Sequence, residues 1–344
     1  MKNHPKVSLL VLNYNGATIT PIILESIKKL HYPKDKIETI VIDNASTDNS
    51  IELFTKQYPF VKIVKMSENI AYGAFNKALP HCTGEFCFFL NNDIEFDPDC
   101  IQELINIFVE HPDAVIAAPA IYNMQTRKLM YTRKYISRTF YQGADHYENL
   151  TEEKNLCATE EAYTGVPLLK TSFAKSLEYI FDPDYFLFVE DIDLAYRIRM
   201  LGHMFYRAPK ARLYHQPSST TNLFFTSTRL NYLVERNIIQ TYLKDIETKN
   251  LILWSPFFCI PRFLKIMIYG VTFKWTLLKS TLSAWGWNIT HFKRTFQKRR
   301  RVQQLRTVSD KKIFKSMGNE KKVLQYLFTK ARGIKPNYST NSSS

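Results

Sequence analysis

Two kinds of hydrophobic run alternate along the first hundred residues. Val7 to Leu12 is a continuous apolar run closed by Asn-Tyr-Asn-Gly, which reads as a strand buried on both faces. Apolar residues then fall at 19, 22, 23, 27 and 30, a helical spacing. Ile37 to Asp43 reads as a second strand, and the loop 44–50 caps a helix running through Tyr58. Val61 to Val64 is a third strand, Ala71 to Leu79 a helix, and Glu85 to Leu90 a fourth strand. A helix from Asp99 to about Glu110 and a short strand at Ala114 to Ala118 follow. This rhythm predicts a mostly parallel sheet with helices on both faces. Ligands of such sheets sit beyond the carboxyl ends of the strands. The polar clusters 13–16, 43–48 and 91–93 fall at those ends.

The pattern weakens afterwards. Residues 119–160 are polar and irregular and predict no element. Order returns at Tyr163 to Lys170. An aromatic stretch, Phe181 to Glu190, ends in Glu-Asp-Ile-Asp. Asp193 to Leu201 reads as a helix stopped by Gly202. Strand-like pieces lie between His203 and Tyr214. From Thr226 the composition turns aromatic, apolar and basic, and 226–247 reads as a helix carrying Arg236 and Asn237. A membrane-crossing helix needs about 20 mostly apolar residues. Pro256, Pro261, Arg262, Lys265, Lys274 and Lys279 interrupt 251–292, so this segment is expected to lie on a bilayer. The plainer alternative is a helical bundle packed on the main domain. The expected organisation is an α/β domain over 1–225, a helical module over 226–336 and a disordered tail over 337–344.

Composition sharpens this picture. A chain of 344 residues, 45% hydrophobic and 14% aromatic, has ample material for a core, which excludes disorder throughout. The net charge of +14 is concentrated at one end. Residues 292–336 hold 15 Lys and Arg against Asp310 and Glu320, or +13. Such a segment suits an anionic surface, phospholipid or nucleic acid, or is a solvated charged helix. Five cysteines without a C-x-x-C pair indicate neither a disulfide framework nor a zinc cluster and fit a reducing cytoplasm. The first apolar run is shorter than the roughly 7–15 residues of a signal-peptide core.

Candidate chemistry sits at the predicted strand ends. Asn92 and Asp93 follow a buried strand, where a carboxylate can hold a divalent ion together with substrate phosphate oxygens; a capped turn is the plainer reading. Asp43 is placed to accept from a base N–H or a ribose hydroxyl, while Ser46 and Asp48 can cap the next helix. Glu190, Asp191 and Asp193 cluster near a helix start, whose dipole favours carboxylates while their mutual repulsion opposes ionisation. An ionised yet basic carboxylate suits proton removal from a hydroxyl. The alternative is helix capping, with Arg197 and Arg199 as partners. His215 follows a strand and is a metal ligand or a structural hydrogen-bonder.

In this order, the blocks resemble glycosyltransferase family 2, most nearly its bacterial rhamnosyltransferase-like branch. They are Leu12 to Gly16, Ile42 to Asp48, Asn69 to Asn76, Leu90 to Asp93, and Phe181 to Leu194 continuing through Arg197, Gly202 and Pro209 to His215. The resemblance covers about residues 6–240. It implies a GT-A fold, a Rossmann-like α/β sheet, and inverting transfer in one displacement. The donor would be a nucleotide-diphosphate sugar, deoxythymidine-diphosphate rhamnose or a uridine-diphosphate sugar. The acceptor would be a glycan or lipid-linked hydroxyl in cell-surface polysaccharide synthesis.

On this resemblance Tyr14 and Asp43 hold the base, with Asn15 in the same donor site. Asn76 lies near the sugar or diphosphate, and Asn92 faces the ribose. Asp93 binds Mg²⁺ or Mn²⁺ with His215 as second ligand. Asp191 is the catalytic base, Glu190 helps to place the acceptor, and Gly165 opens the acceptor side. Asn91 departs from the family's DxD pattern, standing where the first Asp would be. Residues 251–336 of the helical module are expected to hold the enzyme on the inner face of the cell membrane, with no nucleic-acid partner. A nucleotidyltransferase would need a glycine-rich phosphate loop after the first strand, and a dehydrogenase a G-x-G-x-x-G. Neither is present. A non-catalytic membrane or RNA adaptor would leave the polar strand ends without a purpose.

Overall fold

The computed structural model describes residues 4–131, 133–145, 163–216 and 226–331. An eight-stranded sheet runs in the order β3-β2-β1-β4-β9-β6-β10-β5. Its centre is parallel: β1 (Val7–Asn13) lies between β2 (Ile37–Asp43) and β4 (Phe86–Asn91), with β3 (Val61–Lys65) outside β2. The register pairs Asn13 with Asp43 and Leu12 with Asn91. The polar residues ending these strands therefore stand side by side along one edge.

Alternate side chains of each strand feed two cores. Leu9, Val11, Phe88 and Leu90 face α1 (Thr20–Lys28) and α4 (Cys100–Glu110), which contribute Ile23, Leu24, Ile101 and Leu104. Leu10, Ile40, Ile42 and Phe89 face the opposite side. There they join Phe75 of α3 (Gly73–Ala78) and Ile192 and Tyr196 of α6 (Glu190–Met200). Between α1 and α3 runs α2 (Ser50–Gln57).

The other half of the sheet is mixed. β9 (Leu168–Lys170) pairs antiparallel with both β4 and β6 (Ile116–Asn123). β10 (Phe205–His215) runs parallel to β6 and antiparallel to β5 (Ile94–Phe96). The strand-like pieces expected over 203–214 are one strand whose register slips between Ala208 and Arg212. Pro209, which lacks an N–H, lies in the slip. β6 continues five residues beyond the expected Ala118, through a proline and two aromatic-flanked positions that dilute the apolar pattern. A hairpin of β7 (Arg133–Ile136) and β8 (Gln142–Asp145), and the short α5 (Thr171–Ser176), carried no usable periodicity. The remainder of the unassigned stretch, 146–160, and the expected tail, 337–344, lie outside the described residues.

The C-terminal region is helical. α7 (Ser227–Asp245) is capped by Thr226, whose hydroxyl accepts from Arg229 N. It is followed by α8 (Thr248–Leu253), α9 (Ser255–Val271), α10 (Trp275–Thr290), α11 (Phe292–Gln304), α12 (Asp310–Met317) and α13 (Glu320–Ala331). Ile238, Tyr242, Trp254, Phe258, Val302 and Phe314 belong to the same core as Phe75 and Tyr196. The helices thus share the core of the α/β sheet. Among the described residues, no helix is long and apolar enough to cross a membrane.

The basic stretch is not simply a solvated face. Lys298 and Lys244 are buried and pair with Asp182, and Lys298 also reaches Asp184. Buried Arg299 donates to the carbonyls of Leu243 and Ile246, at 2.8 and 2.6 Å. Part of the charge counted from sequence is therefore spent locking α11 against α7 and the 182–184 turn.

Candidate active site

The strand-end loops form one hydrogen-bonded floor. Asn13 is fully buried; its Nδ2 donates to Ser46 Oγ at 3.1 Å and Ser50 Oγ at 3.0 Å, and its Oδ1 accepts from the Thr20 hydroxyl. Asn15 adopts φ +49°, a conformation asparagine tolerates better than most residues. This turns its Oδ1 to accept from Thr47 N at 2.7 Å. Gly16 allows no side chain: a Cβ would come within 2.4 Å of Asn13 Oδ1 and Thr20 Oγ1 and 2.5 Å of Asn92 Nδ2. Asp43 is buried, and one oxygen accepts from Ser46 N at 3.0 Å. Asp48 accepts from Ala17 N and Ser50 N. The capping role expected for the 46–48 segment belongs mainly to Asp48.

Asn92 and Asn76 also serve this framework. Asn92 Nδ2 donates to Thr20 Oγ1 at 3.1 Å, fixing the end of β4 to α1. Asn76 clamps a distant segment: its Oδ1 accepts from Ile180 N and Phe181 N, and its Nδ2 donates to Phe181 O at 2.7 Å. Tyr14 is half-buried.

Asp93 and His215 come together although 122 positions separate them. The antiparallel pairing of β5 and β10 sets His215 opposite Ile94, and Gln216 N donates to Asp93 O. His215 Nε2 then lies 3.3 Å from Asp93 Oδ1. One carboxylate oxygen and one imidazole nitrogen at a strand edge are a donor set that suits a divalent transition metal. Among the described residues no group of three or more His, Cys, Asp or Glu side chains forms a metal cluster. The pair would leave the other coordination positions to phosphate oxygens and water.

The acidic motif divides. The helix begins at Glu190, three residues before the expected Asp193. Its start carries no ordinary capping residue, because Val189 occupies that position with φ +70°, and Phe188 before it also has φ +70°. Two consecutive bulky residues in the left-handed region cost energy that the surroundings must supply. Asn237 of α7 does so in part, donating to the carbonyls of Leu187 and Phe188 at 2.9 and 2.8 Å. Beside it, Arg236 donates to Asp184 O at 2.7 Å.

Glu190 is buried and its Oε2 has no hydrogen-bond partner among the described residues. Burial, then the neighbouring Asp191, push its carboxyl well above the ordinary range. Asp191 is partly exposed, with Oδ1 accepting from Ile192 N at 2.9 Å. Burial of its carboxyl raises its pKa, and Lys134 opposes the rise. Asp193 points into the protein, 2.8 Å from Arg197 and 2.5 Å from Lys244, both buried. Burial disfavours its charge, but these two cations hold its pKa below the usual value. Asp193 is structural, as the Arg197 partnership suggested. Arg199 instead stacks over Phe205 and donates to Ala195 O.

Tyr72, which lies in the Asn69–Asn76 block but has no role on the resemblance, joins the two halves. Its hydroxyl donates to Asn91 Oδ1 at 2.9 Å. Burial and then Glu190 push that hydroxyl far up, with further contributions from Asp191 and Asp93 and an opposing one from Asn91. The acidic pair and the strand-end carboxylate therefore act on one group. Gly165 faces the same point, since a Cβ there would lie 3.8 Å from Tyr72 Oη. Lys134, on the unanticipated hairpin, is the other residue missed.

This arrangement has known counterparts. Residues 8–160 match the model of glycosyl transferase family 2. EpsH of Bacillus subtilis (strain 168), a glycosyltransferase by name, is 26% identical over 266 residues, 71% of this chain and 74% of its own. The N-acetylglucosaminyl-diphospho-decaprenol L-rhamnosyltransferase of Mycobacterium tuberculosis is 22% identical over 211 residues, 54% of this chain and 68% of its own. The structure of the Pyrobaculum calidifontis mannosyltransferase PcManGT with GDP-Man and Mn²⁺ superposes with a TM-score of 0.52 at 17% identity. It covers 84% of this chain and 76% of that one. The fold is accordingly GT-A, residues 8–160 form a glycosyl transferase family 2 domain, and the chain is a glycosyltransferase.

Proposed function

We propose that the protein transfers a sugar, with inversion, from a nucleotide-diphosphate donor to a hydroxyl of a glycan or lipid-linked acceptor. The carrying observation is that Tyr72 donates through its hydroxyl to Asn91 at the carboxyl edge of the sheet, and through its backbone N–H to the Phe186 carbonyl, in the segment that leads to Glu190 and Asp191. Tyr14, Asn15 and Asp43 line the donor end, at the tips of β1 and β2. Asn13, Asn76 and Asn92 build its floor and rim. Asp191, the more exposed acid, takes the acceptor proton as the acceptor oxygen bonds to the anomeric carbon. The bond from that carbon to the diphosphate oxygen breaks, and nucleoside diphosphate leaves with the electron pair. Glu190, kept protonated by burial and by Asp191, presents a neutral hydrogen-bonding group to the acceptor.

Asp93 and His215 would hold Mg²⁺ or Mn²⁺; the relative solved with Mn²⁺ and GDP-Man supports this. When bound, the ion supplies positive charge against the diphosphate. The rhamnosyltransferase relative makes deoxythymidine-diphosphate rhamnose a donor to try first, beside uridine-diphosphate sugars. We place the site of action at the inner, anionic face of a membrane, reached through residues 251–336.

The test is Asp191→Asn. Transfer should be abolished while nucleotide-sugar binding, read by thermal shift with Mg²⁺ or Mn²⁺, persists. A bound donor at about 100 times its dissociation constant stabilises by about 2.7 kcal/mol. Near-normal turnover in the variant would remove Asp191 from the mechanism.

A further inference from the structure

Helix α9 is amphipathic the wrong way round for a soluble protein. Its exposed face carries Phe257, Ile260, Leu264, Met267, Ile268 and Val271, spaced three and four apart along one stripe. The turn beyond adds Phe273 and Trp275, 74% and 59% exposed. Soluble monomers rarely leave so continuous an apolar patch in water. The charge around it has one sign. Between Glu247 and Asp310 there is no acidic residue, against 12 Lys and Arg. Several are spent internally: Arg262 and Lys265 on Glu235, Lys298 on Asp182. Lys274, Lys279, Lys293 and Arg300 are exposed and make no ion pair among the described residues. Apolar stripe, interfacial tryptophan and unspent cations together match an anionic bilayer surface.

Behind the stripe is a cavity of about 260 Å³ between α7, α9 and α10. Tyr242, Leu251, Phe258, Trp285, Ile289 and Phe292 form most of its wall. Ile289 and Phe292 are also exposed, at 72% and 47%, so part of the cavity wall is itself apolar surface. Its polar lining is largely satisfied from within. The Ser255 hydroxyl donates to Ile252 O, and Asn288 Nδ2 donates to Ala284 O and Arg236 O. Asn288 Oδ1, buried and without a hydrogen-bond partner among the described residues, is an acceptor for a hydroxyl or a water. An open apolar pocket of this kind favours hydrocarbon over water.

We infer that this cavity is a binding site for the hydrocarbon chain of an anionic phospholipid, drawn from the bilayer on which α9 lies. The inference rests on the membrane placement proposed above and adds a specific lipid site to it. The position gives the site a connection to the chemistry. Tyr242 and Ile239 of its wall lie on the helix whose Asn237 holds the Leu187–Phe188 turn, and Asn288 bonds the carbonyl of Arg236.

The full chain should be titrated with short-chain dihexanoyl phosphatidylglycerol below its micellar concentration, and separately with vesicles of phosphatidylglycerol and phosphatidylcholine. Cys259→Trp, which fills the cavity, should lose about tenfold in affinity for the monomeric lipid. Paired Phe257→Ser and Met267→Ser should lose vesicle binding and keep the monomeric lipid. If Cys259→Trp fails to fold, phosphatidylglycerol with a photoreactive chain tests the wild type, with adducts expected on Tyr242, Phe258 or Ile289. Equal binding by wild type and Cys259→Trp, or adducts confined to the outer stripe, overturns the site. Monomeric lipid bound in the cavity without any vesicle binding retains the site and refutes the membrane placement instead. A stable dimer buried through Phe257 and Met267, with no lipid bound, overturns both.

Discussion

Asn237 Nδ2 lies 2.8 Å from the carbonyl oxygen of Phe188, and through this contact a helix of the C-terminal region holds the turn that precedes Glu190 and Asp191. The turn needs holding, since Phe188 and Val189 both take φ +70° and would relax if released. Asn237→Ala removes this bond and its companion to Leu187 O. Each lost bond should cost about 1 kcal/mol of stability. The kinetic effect should be larger on kcat, by about tenfold or more, than on the donor KM. Steady-state kinetics with a melting curve checks this; an equal loss in both constants would assign Asn237 to the donor site.

Asp193 and Asp191 stand two residues apart on α6 and should fail in opposite ways. Asp193→Ala leaves Lys244 and Arg197 buried beside one fewer carboxylate. Removing one member of a buried ion pair costs about 3–5 kcal/mol. The variant should melt well below the wild type, whereas Asp191→Asn should melt near it and be inactive. Chemical denaturation of the two proteins side by side decides the matter.

These two aspartates also mark how far the sequence could be read. The parallel strands were legible because each is a short, mainly apolar run ending in polar residues, and the register then brings those ends together. Asp93 and His215 were paired only through the family resemblance, because their approach depends on the antiparallel β5, three residues long, too short for any period to show. Distinguishing Asp191 from Asp193 required knowing which carboxylate faces Lys244, a residue from another helix. Tyr72 looked like one more aromatic in a helix, since nothing local records its bond to Asn91. The basic C-terminal stretch looked uniform, yet burial of Lys298 and Arg299 separates structural cations from free ones. Removing 290–344 would therefore damage the core, and membrane contact is better tested by point substitution.

Glu38 predicts an acid-dependent loss of stability remote from the active site. Burial alone would raise its pKa, but hydrogen bonds from Lys62, Ser8 and Thr83 prevail and bring it from 4.5 to about 2. A depressed carboxylate stabilises the fold above its unfolded value, and that contribution fades as pH falls from about 4.5 to about 2. Lys62 is 59% exposed, so solvent screening limits the gain to about 1–2 kcal/mol. Glu38→Gln should therefore be less stable than wild type at pH 7 and converge with it near the acid end. Urea melts across pH test this; a difference independent of pH would contradict it.

If Asp93 and His215 share a divalent ion, His215→Ala should raise the Mn²⁺ concentration needed for half-maximal activity. Loss of one ligand worth about 1.4 kcal/mol is about tenfold. Asp93→Ala should do more, since it removes the charged ligand. Titrating donor binding with Mn²⁺ and Mg²⁺ in each variant reads the effect apart from turnover. An unchanged metal requirement in both would place the ion elsewhere.

Lys134 should tune the base. Burial raises the Asp191 pKa and Lys134 is the largest effect opposing it. A base acts in its ionised form, so the rate should climb as pH rises through the pKa of the acidic pair, Asp191 and Glu190, which titrates as a unit. Lys134→Met takes away the opposing charge, so Asp191 ionises at higher pH and the acidic limb of the kcat profile moves upward. Above that limb Asp191 is ionised in both proteins, and their rates should converge. The profile of kcat against pH for wild type and Lys134→Met measures both features. A uniform drop at every pH would mean that Lys134 acts by contact with substrate, and an unmoved limb would mean that the titrating base is another group.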